Sequence, residues 1–269
     1  MTSIAVTIAG SDSGGGAGIQ ADLKTFSALG VYGASVIAAL TAQNTRGVTG
    51  IHDVPSDFVT AQIDAVYSDL KVDATKIGML SRIDTIEAVA SGLERWDVKN
   101  VVLDPVMVAT SGDHLIVDDA VSFLVERLFL LADFITPNLR EAARILDAPV
   151  AETRETMRDQ ALKLKAMGPG AVLLKGGHGM GGESADLLLD KAGEHWYEAA
   201  RIATNNTHGT GCTLSSAIAA GCARGLSLSE AVGFGKDYVT AAIAAADTLH
   251  IGQGHGPVHH FHAFWKETT

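Results

Sequence analysis

Short β-branched and aliphatic runs alternate along this chain with longer stretches of helical periodicity. That is the pattern of repeated strand–helix–strand units around a parallel sheet. Residues 4–9 read as a buried strand, and 17–29 as a helix closed by Gly30. Residues 35–40 form the second strand, with a weaker one at 49–54, at an edge. Helical stripes follow at 56–70, 83–96 and 117–131, separated by short strands at 74–77 and 101–103. A strand at 134–136 precedes helices at 139–146 and 155–167, and 171–174 is another buried strand. Residues 185–190 and 195–199 make an antiparallel hairpin around 191–193. A helix over 212–223 is stopped by Gly225. Ser227 and Glu230 then have the spacing of a capping box opening a last long helix to about residue 246. No repeat or Pro-rich linker breaks the series. The expected architecture is one domain over 1–269, a three-layer, doubly wound α/β fold whose mostly parallel central sheet carries helices on both faces.

In such sheets ligands bind outside the carboxyl ends of the strands, so the residues that follow each strand carry the functional information. They are GSDSGGGAG (10–18), TAQNT (41–45), Gly78 and Met79, Asp104 and Pro105, PNLRE (137–141) and KGGHG (175–179). If the strands are parallel, all of these meet at one sheet edge. HGTGC (208–212) leads straight into a helix. Its glycines leave backbone N–H groups free to converge where the helix dipole is positive, which suits a phosphate. An ordinary glycine turn has the same spelling. Cys212 at that helix start is placed for a favoured thiolate, or is a small buried residue; Cys222 is read as the latter. Asp104 ends a buried strand, where a carboxylate must be paired, hydrogen-bonded or metal-bound. Asn138 and Glu141 have the spacing of a helix N-cap, and equally of a carboxylate aimed at a hydrated magnesium ion. Lys175 is a phosphate contact or a solvated lysine.

Two apparent motifs fail. Gly177, Gly179 and Gly182 fit GxGxxG, but ESADLLLD after them reads as a strand, and the dinucleotide fingerprint needs a helix. His255, His259, His260 and His262 lack a nearby carboxylate or thiol and read as packing or surface groups rather than a metal cluster. Composition narrows the field further. With 47% hydrophobic and 19% charged residues the chain is not disordered. A formal net charge of −11 without a basic stripe argues against nucleic acid. The two cysteines build no disulfide framework, the N-terminus lacks a basic signal region, and no apolar run is long enough for a bilayer. A soluble cytoplasmic protein is expected.

AGSDSGGGAGIQADLKT (9–25), TAQNTRGV (41–48), DPVMVATSGD (104–113), TPNLREA (136–142), LLKGGH (173–178), NTHGTGCTLSSAIAA (206–220) and GHGPVHHF (254–261) together resemble the hydroxymethylpyrimidine/phosphomethylpyrimidine kinases of thiamine biosynthesis, in the ribokinase superfamily. The resemblance implies a ribokinase-like fold, a homodimer, and two phosphorylations of a hydroxymethylpyrimidine that use ATP and Mg²⁺. Carried over position by position, Gln43 bonds the pyrimidine, and Gly10, Asp22, Met79 and Val106 line its pocket. Gly209, Thr210 and Gly211 form the anion hole, and Cys212 inherits the role of base. Asp104, Asn138, Glu141, Lys175 and Lys236 serve Mg²⁺, phosphate or nucleotide, with Asp104 and Glu141 on the metal. ATSGD (109–113) belongs to a flap. A pyridoxal or pyridoxine kinase is the nearest alternative; some of these carry a flap cysteine, and none occurs here. A non-catalytic pyrimidine sensor would lack the phosphate residues.

Overall fold

The computed structural model describes residues 1–108, 112, 115–177 and 183–265. Nine strands form one sheet in the order β3-β2-β1-β4-β5-β6-β7-β8-β9. They are β1 (Ile4–Asp12), β2 (Tyr32–Asn44), β3 (Gly47–Asp53), β4 (Ala74–Ile77), β5 (Val101–Leu103), β6 (Phe134–Ile135), β7 (Val172–Leu174), β8 (Glu183–Asp190) and β9 (Gly193–Ala200). The six strands from β2 to β7 in that order are parallel, while β3, β8 and β9 run antiparallel at the two edges. A strand, β8, follows the glycines at 177–182 where the dinucleotide motif needs a helix, in keeping with its rejection; Gly179 and Gly182 themselves lie outside the described residues.

Side-chain alternation sorts the core onto two faces. Val101 and Leu103 point to one face, with Leu187 and Leu189; Val102 and Leu188 point to the other. The first face is covered by α2 (Ser56–Tyr67), α3 (Ile83–Arg95), α4 (Asp118–Leu128), α5 (Leu139–Ile145) and α6 (Arg154–Ala166). The second is covered by α1 (Gly18–Ala28), α7 (Thr210–Ala223) and α8 (Leu228–Ala244). Aliphatic residues one turn apart, such as Ile86, Val89 and Leu93 on α3, put each helix's apolar stripe on the sheet. The expected capping box at Ser227 and Glu230 starts α8. No described helix is long and apolar enough to cross a membrane.

The parallel strands bring their carboxyl ends to one edge. β1 and β2 run beyond their apolar stretches, with Gly10 opposite Ala39 and Asp12 opposite Thr41, after a register shift between Ala9 and Gly10. The polar tip of the first motif is therefore strand rather than loop.

Candidate active site

A cavity of about 920 Å³ opens at that edge. It draws its wall from the tips of β1, β2, β4, β5 and β7, the starts of α5 and α7, and α8. Gly10, Gln43, Met79, Asp104, Val106, Asn138, Glu141, Lys175, Gly209, Thr210, Gly211, Cys212 and Lys236 all line it. The convergence expected of parallel strand ends is thus present.

The cavity has an apolar end and a charged end. Met79 is buried with Ala39 and Leu115, and Val106 packs on them. Gly10 faces this wall: a Cβ there would sit 3.2 Å from the Met79 sulfur. Gln43 is held by Ser13, whose hydroxyl donates to its carbonyl at 2.8 Å and accepts from its amide at 2.9 Å. The Thr41 hydroxyl meets the Gln43 Oε1 at 3.1 Å. A flat ring is contacted well by such a wall, with one fixed amide to read its edge.

At the charged end, α7 begins at Gly209, whose φ of 80° is left-handed and whose N-cap has no side-chain acceptor. A Cβ on Gly209 would overlap the Gly16 carbonyl, so only glycine fits. The Thr210 amide donates to the Thr207 carbonyl at 3.2 Å, so it is the Gly211 and Cys212 amides that face an anion at this helix start. A Cβ on Gly211 would lie 3.5 Å from the Lys175 amine and 3.8 Å from Asp104 Oδ2, which fixes where that turn faces. Asp104 is buried and hydrogen-bonded on both oxygens: Thr136 donates to it at 3.0 Å, Lys175 at 2.8 Å and Ser215 at 3.1 Å. Burial alone would raise its pKa, but Lys175 and then Lys76 outweigh burial and hold the carboxyl below its ordinary value.

Glu141 and Asn138 form the capping box that opens α5; Asn138 caps the Arg140 and Glu141 amides, and Glu141 accepts from the Asn138 amide at 2.8 Å. The N-cap reading of this pair is correct, and Glu141 nevertheless lines the cavity. Burial, with Asp104 nearby, pushes its carboxyl up to about 7 against the pull of Lys175. Lys236 reaches Asp186 at 2.6 Å and the Ser184 hydroxyl at 3.1 Å.

Two expectations need correction. Asp22 is fully buried and does not line the cavity. It sits beneath the floor, accepting from Lys76 at 2.8 and 2.9 Å, Thr7 at 2.6 Å and Ser216 at 2.6 Å. Cys212 is not poised as a thiolate, despite its place at the helix start. Burial pushes the thiol up to about 11; Lys76 pulls it down, and the carboxylates of Asp22 and Asp104 work against Lys76.

Sequence reasoning missed Lys76, which belongs to the cavity lining and whose amine forms a buried pair with Asp22. It also missed Asp12, which lies under the glycine motif and accepts from the amides of Gly14, Gly16 and Ala17 and meets His208 Nε2 at 2.8 Å. The flap segment 109–113 falls outside the described residues apart from Gly112, which lines the cavity. His259 and His260 are buried against the body of the protein; among the described residues no group of three or more His, Cys, Asp or Glu could hold a metal.

The mostly parallel sheet with helices on both faces and a cavity at its strand tips is the ribokinase-like arrangement that this chain shares with small-molecule kinases. The family model described as phosphomethylpyrimidine kinase matches residues 12–259. A hydroxymethylpyrimidine/phosphomethylpyrimidine kinase of Rhizobium meliloti (strain 1021) is 60% identical over 99% of this chain and 100% of its own length. The protein of that name from Escherichia coli (strain K12) is 56% identical over 97% and 98%. The chain belongs to the phosphomethylpyrimidine kinase family. Among solved structures, a Bacillus subtilis pyridoxal kinase in complex with ADP superposes with a TM-score of 0.91 at 36% identity, over 99% of this chain and 100% of that one. A phosphomethylpyrimidine kinase from Clostridium difficile 630 superposes at 0.80 with 43% identity, over 89% and 99%.

Proposed function

We propose that the chain uses ATP to phosphorylate the hydroxymethyl group of 4-amino-5-hydroxymethyl-2-methylpyrimidine, and then phosphorylates the monophosphate to the diphosphate used for thiamine. The observation that carries this reading is the position of the α7 amides: beside Lys175 and Asp104, in the cavity that also holds Gln43. The ring lies against Met79 and Val106 with Gln43 at its edge, and its hydroxymethyl group points toward Cys212. The amides of Gly211 and Cys212 receive the transferring phosphoryl group, with Lys175 and Lys236 offsetting phosphate charge. Phosphoryl transfer asks for this kind of positioning and charge stabilisation, and little else from the protein.

The donor set suits a hydrated magnesium ion better than a bare one. Asp104 already accepts three hydrogen bonds, whereas Glu141 is a buried carboxyl whose charge is undercompensated. Mg²⁺ commonly keeps its waters and leans on one or two carboxylates and the nucleotide phosphates. Asp104 and Glu141 would hold it so, and it would supply positive charge against the phosphates of the nucleotide. A homodimer is part of the same proposal and is read by sedimentation velocity.

Pyridoxal is the second reading, favoured by the superposition on pyridoxal kinases. One assay separates the two: purified protein with ATP and Mg²⁺, offered hydroxymethylpyrimidine or pyridoxal, with products resolved by mass. Mono- and diphosphate from the pyrimidine, at a kcat/KM at least tenfold above that for pyridoxal, is the expected outcome. Preference for pyridoxal, or no diphosphate, would overturn it.

A further inference from the structure

The tail motif at 254–261 has no part in the chemistry above. No residue of 252–260 lines the cavity, yet this segment touches both of the cavity's working ends. On the ring side, Thr45 lies two residues beyond Gln43. Its hydroxyl oxygen accepts from the amides of Gln253 at 3.2 Å and Gly254 at 3.1 Å, and its carbonyl accepts from His255 at 2.9 Å. On the phosphate side, the His208 amide donates to the Gly256 carbonyl at 3.0 Å, and the Val258 amide donates to the His208 carbonyl at 3.3 Å. His208 immediately precedes Gly209. Further along, His260 Nε2 meets the Thr213 hydroxyl of α7 at 3.0 Å.

The spacing of small residues has the same origin. A Cβ on Gly254 would overlap the Thr45 carbonyl, and one on Gly256 would overlap the Asn206 side chain. On the facing loop, a Cβ on Gly16 would overlap the His208 ring and come within 3.1 Å of Pro257. The His208 ring in turn meets Asp12, the carboxylate that gathers the amides of the glycine loop.

We propose that residues 252–260 form a positioning strap, with His208 as its fastening to Asp12, that sets the distance between the ring site at Gln43 and the phosphate-binding amides at Gly209–Cys212. A phosphoryl group and its acceptor hydroxyl react only when held in near-attack geometry, and a displacement of about 1 Å can cost about 10²-fold in rate. The strap acts on that geometry without touching either ligand.

The proposal rests on the ring lying at Gln43 and the phosphoryl group at α7. That placement fails separately, if Gln43→Ala leaves KM for the ring unchanged. The strap itself is tested by Thr45→Val and Gly254→Ala at the ring side, and by His208→Leu and His208→Gln at the fastening. Thermal denaturation identifies the variants that fold, and Gly254→Ala, at an exposed site, carries the test if His208→Leu does not. The expected result is a loss of kcat of roughly tenfold for Gly254→Ala and about 10²-fold for His208→Leu, on the scale of misplaced reactants. Dissociation constants for ring and nucleotide measured singly stay within about threefold of the parent, less than one lost hydrogen bond to a ligand. His208→Gln, which keeps an N–H donor toward Asp12, recovers most of the rate. Gly254→Ala with His208→Leu is no slower than His208→Leu alone, because both cut one strap. An unchanged kcat in folded Gly254→Ala, additive losses, or losses seen only in KM would overturn the proposal.

Discussion

At the scale of the residue, the sharpest question is how Cys212 assists proton removal. With its thiol pushed up to about 11 by burial, it is protonated at neutral pH. A base must first be ionised, so a Cys212 thiolate that accepts the hydroxymethyl proton makes kcat rise with pH. Below 11 the thiolate fraction grows about tenfold per unit. The expected profile for the first phosphorylation therefore climbs from pH 7 to pH 10. In Cys212→Ala the climb disappears, and kcat at pH 7 falls by about 10²–10⁴, the usual worth of a general base. Stopped-flow or coupled assays across that range decide the matter. A flat parent profile with a full-rate alanine variant would leave Cys212 as a contributor of its backbone amide only.

At the scale of the element, the network under the floor ties four pieces of the fold together. Lys76 of β4 meets Asp22 of α1, which also accepts from Thr7 of β1 and Ser216 of α7. Removing one partner of a buried pair strands the other's charge and commonly costs about 3–5 kcal/mol. Lys76→Met should lose stability on that scale in urea denaturation, and adding Asp22→Asn should restore part of it. Equal and additive losses would mean that the two side chains are not coupled. This network also marks the limit of what sequence conveys. The elements were legible because apolar periodicity reports burial, and the Asn138–Glu141 and Ser227–Glu230 caps because they are local spacings. The polar tips of β1 and β2 were not, since ladder hydrogen bonds extend those strands past the last apolar residue. Lys76 is a charge within a four-residue strand that is otherwise apolar or small, and its partner lies 54 positions away, so no spacing announces the pair. Cavity residues were reachable through the family motifs, but those motifs do not distinguish a residue that faces the ligand from one, like Asp22, that supports the floor.

At the scale of the whole molecule, two buried groups in different parts of the fold set opposing pH dependences. Glu141 in the cavity is raised from 4.5 to about 7 by burial, and His260 in the strap is lowered from 6.5 to about 3, also chiefly by burial. Between pH 4.5 and 7 the folded protein keeps a proton on Glu141 that the unfolded chain has lost, so this group makes stability fall as pH rises. Between pH 3 and 6.5 the unfolded chain holds a proton on His260 that the folded protein lacks, so this group makes stability rise with pH. Over 4.5–6.5 the two slopes oppose each other, each up to about 1.4 kcal/mol per pH unit. Asp12 and Asp104, both held below their ordinary values, act only at lower pH. Urea denaturation of the metal-free protein should then show a shallower pH dependence from pH 4.5 to 6.5 than either single variant below, with His259, also lowered by burial, adding to the rise. Glu141→Gln should unmask a rise of on the order of 2 kcal/mol across the same interval, and His260→Gln a comparable fall that continues to pH 7. The signs are the test: a rise in the His260 variant would mean that Glu141 does not keep its proton in the fold, and a fall in the Glu141 variant would mean that His260 is not held neutral.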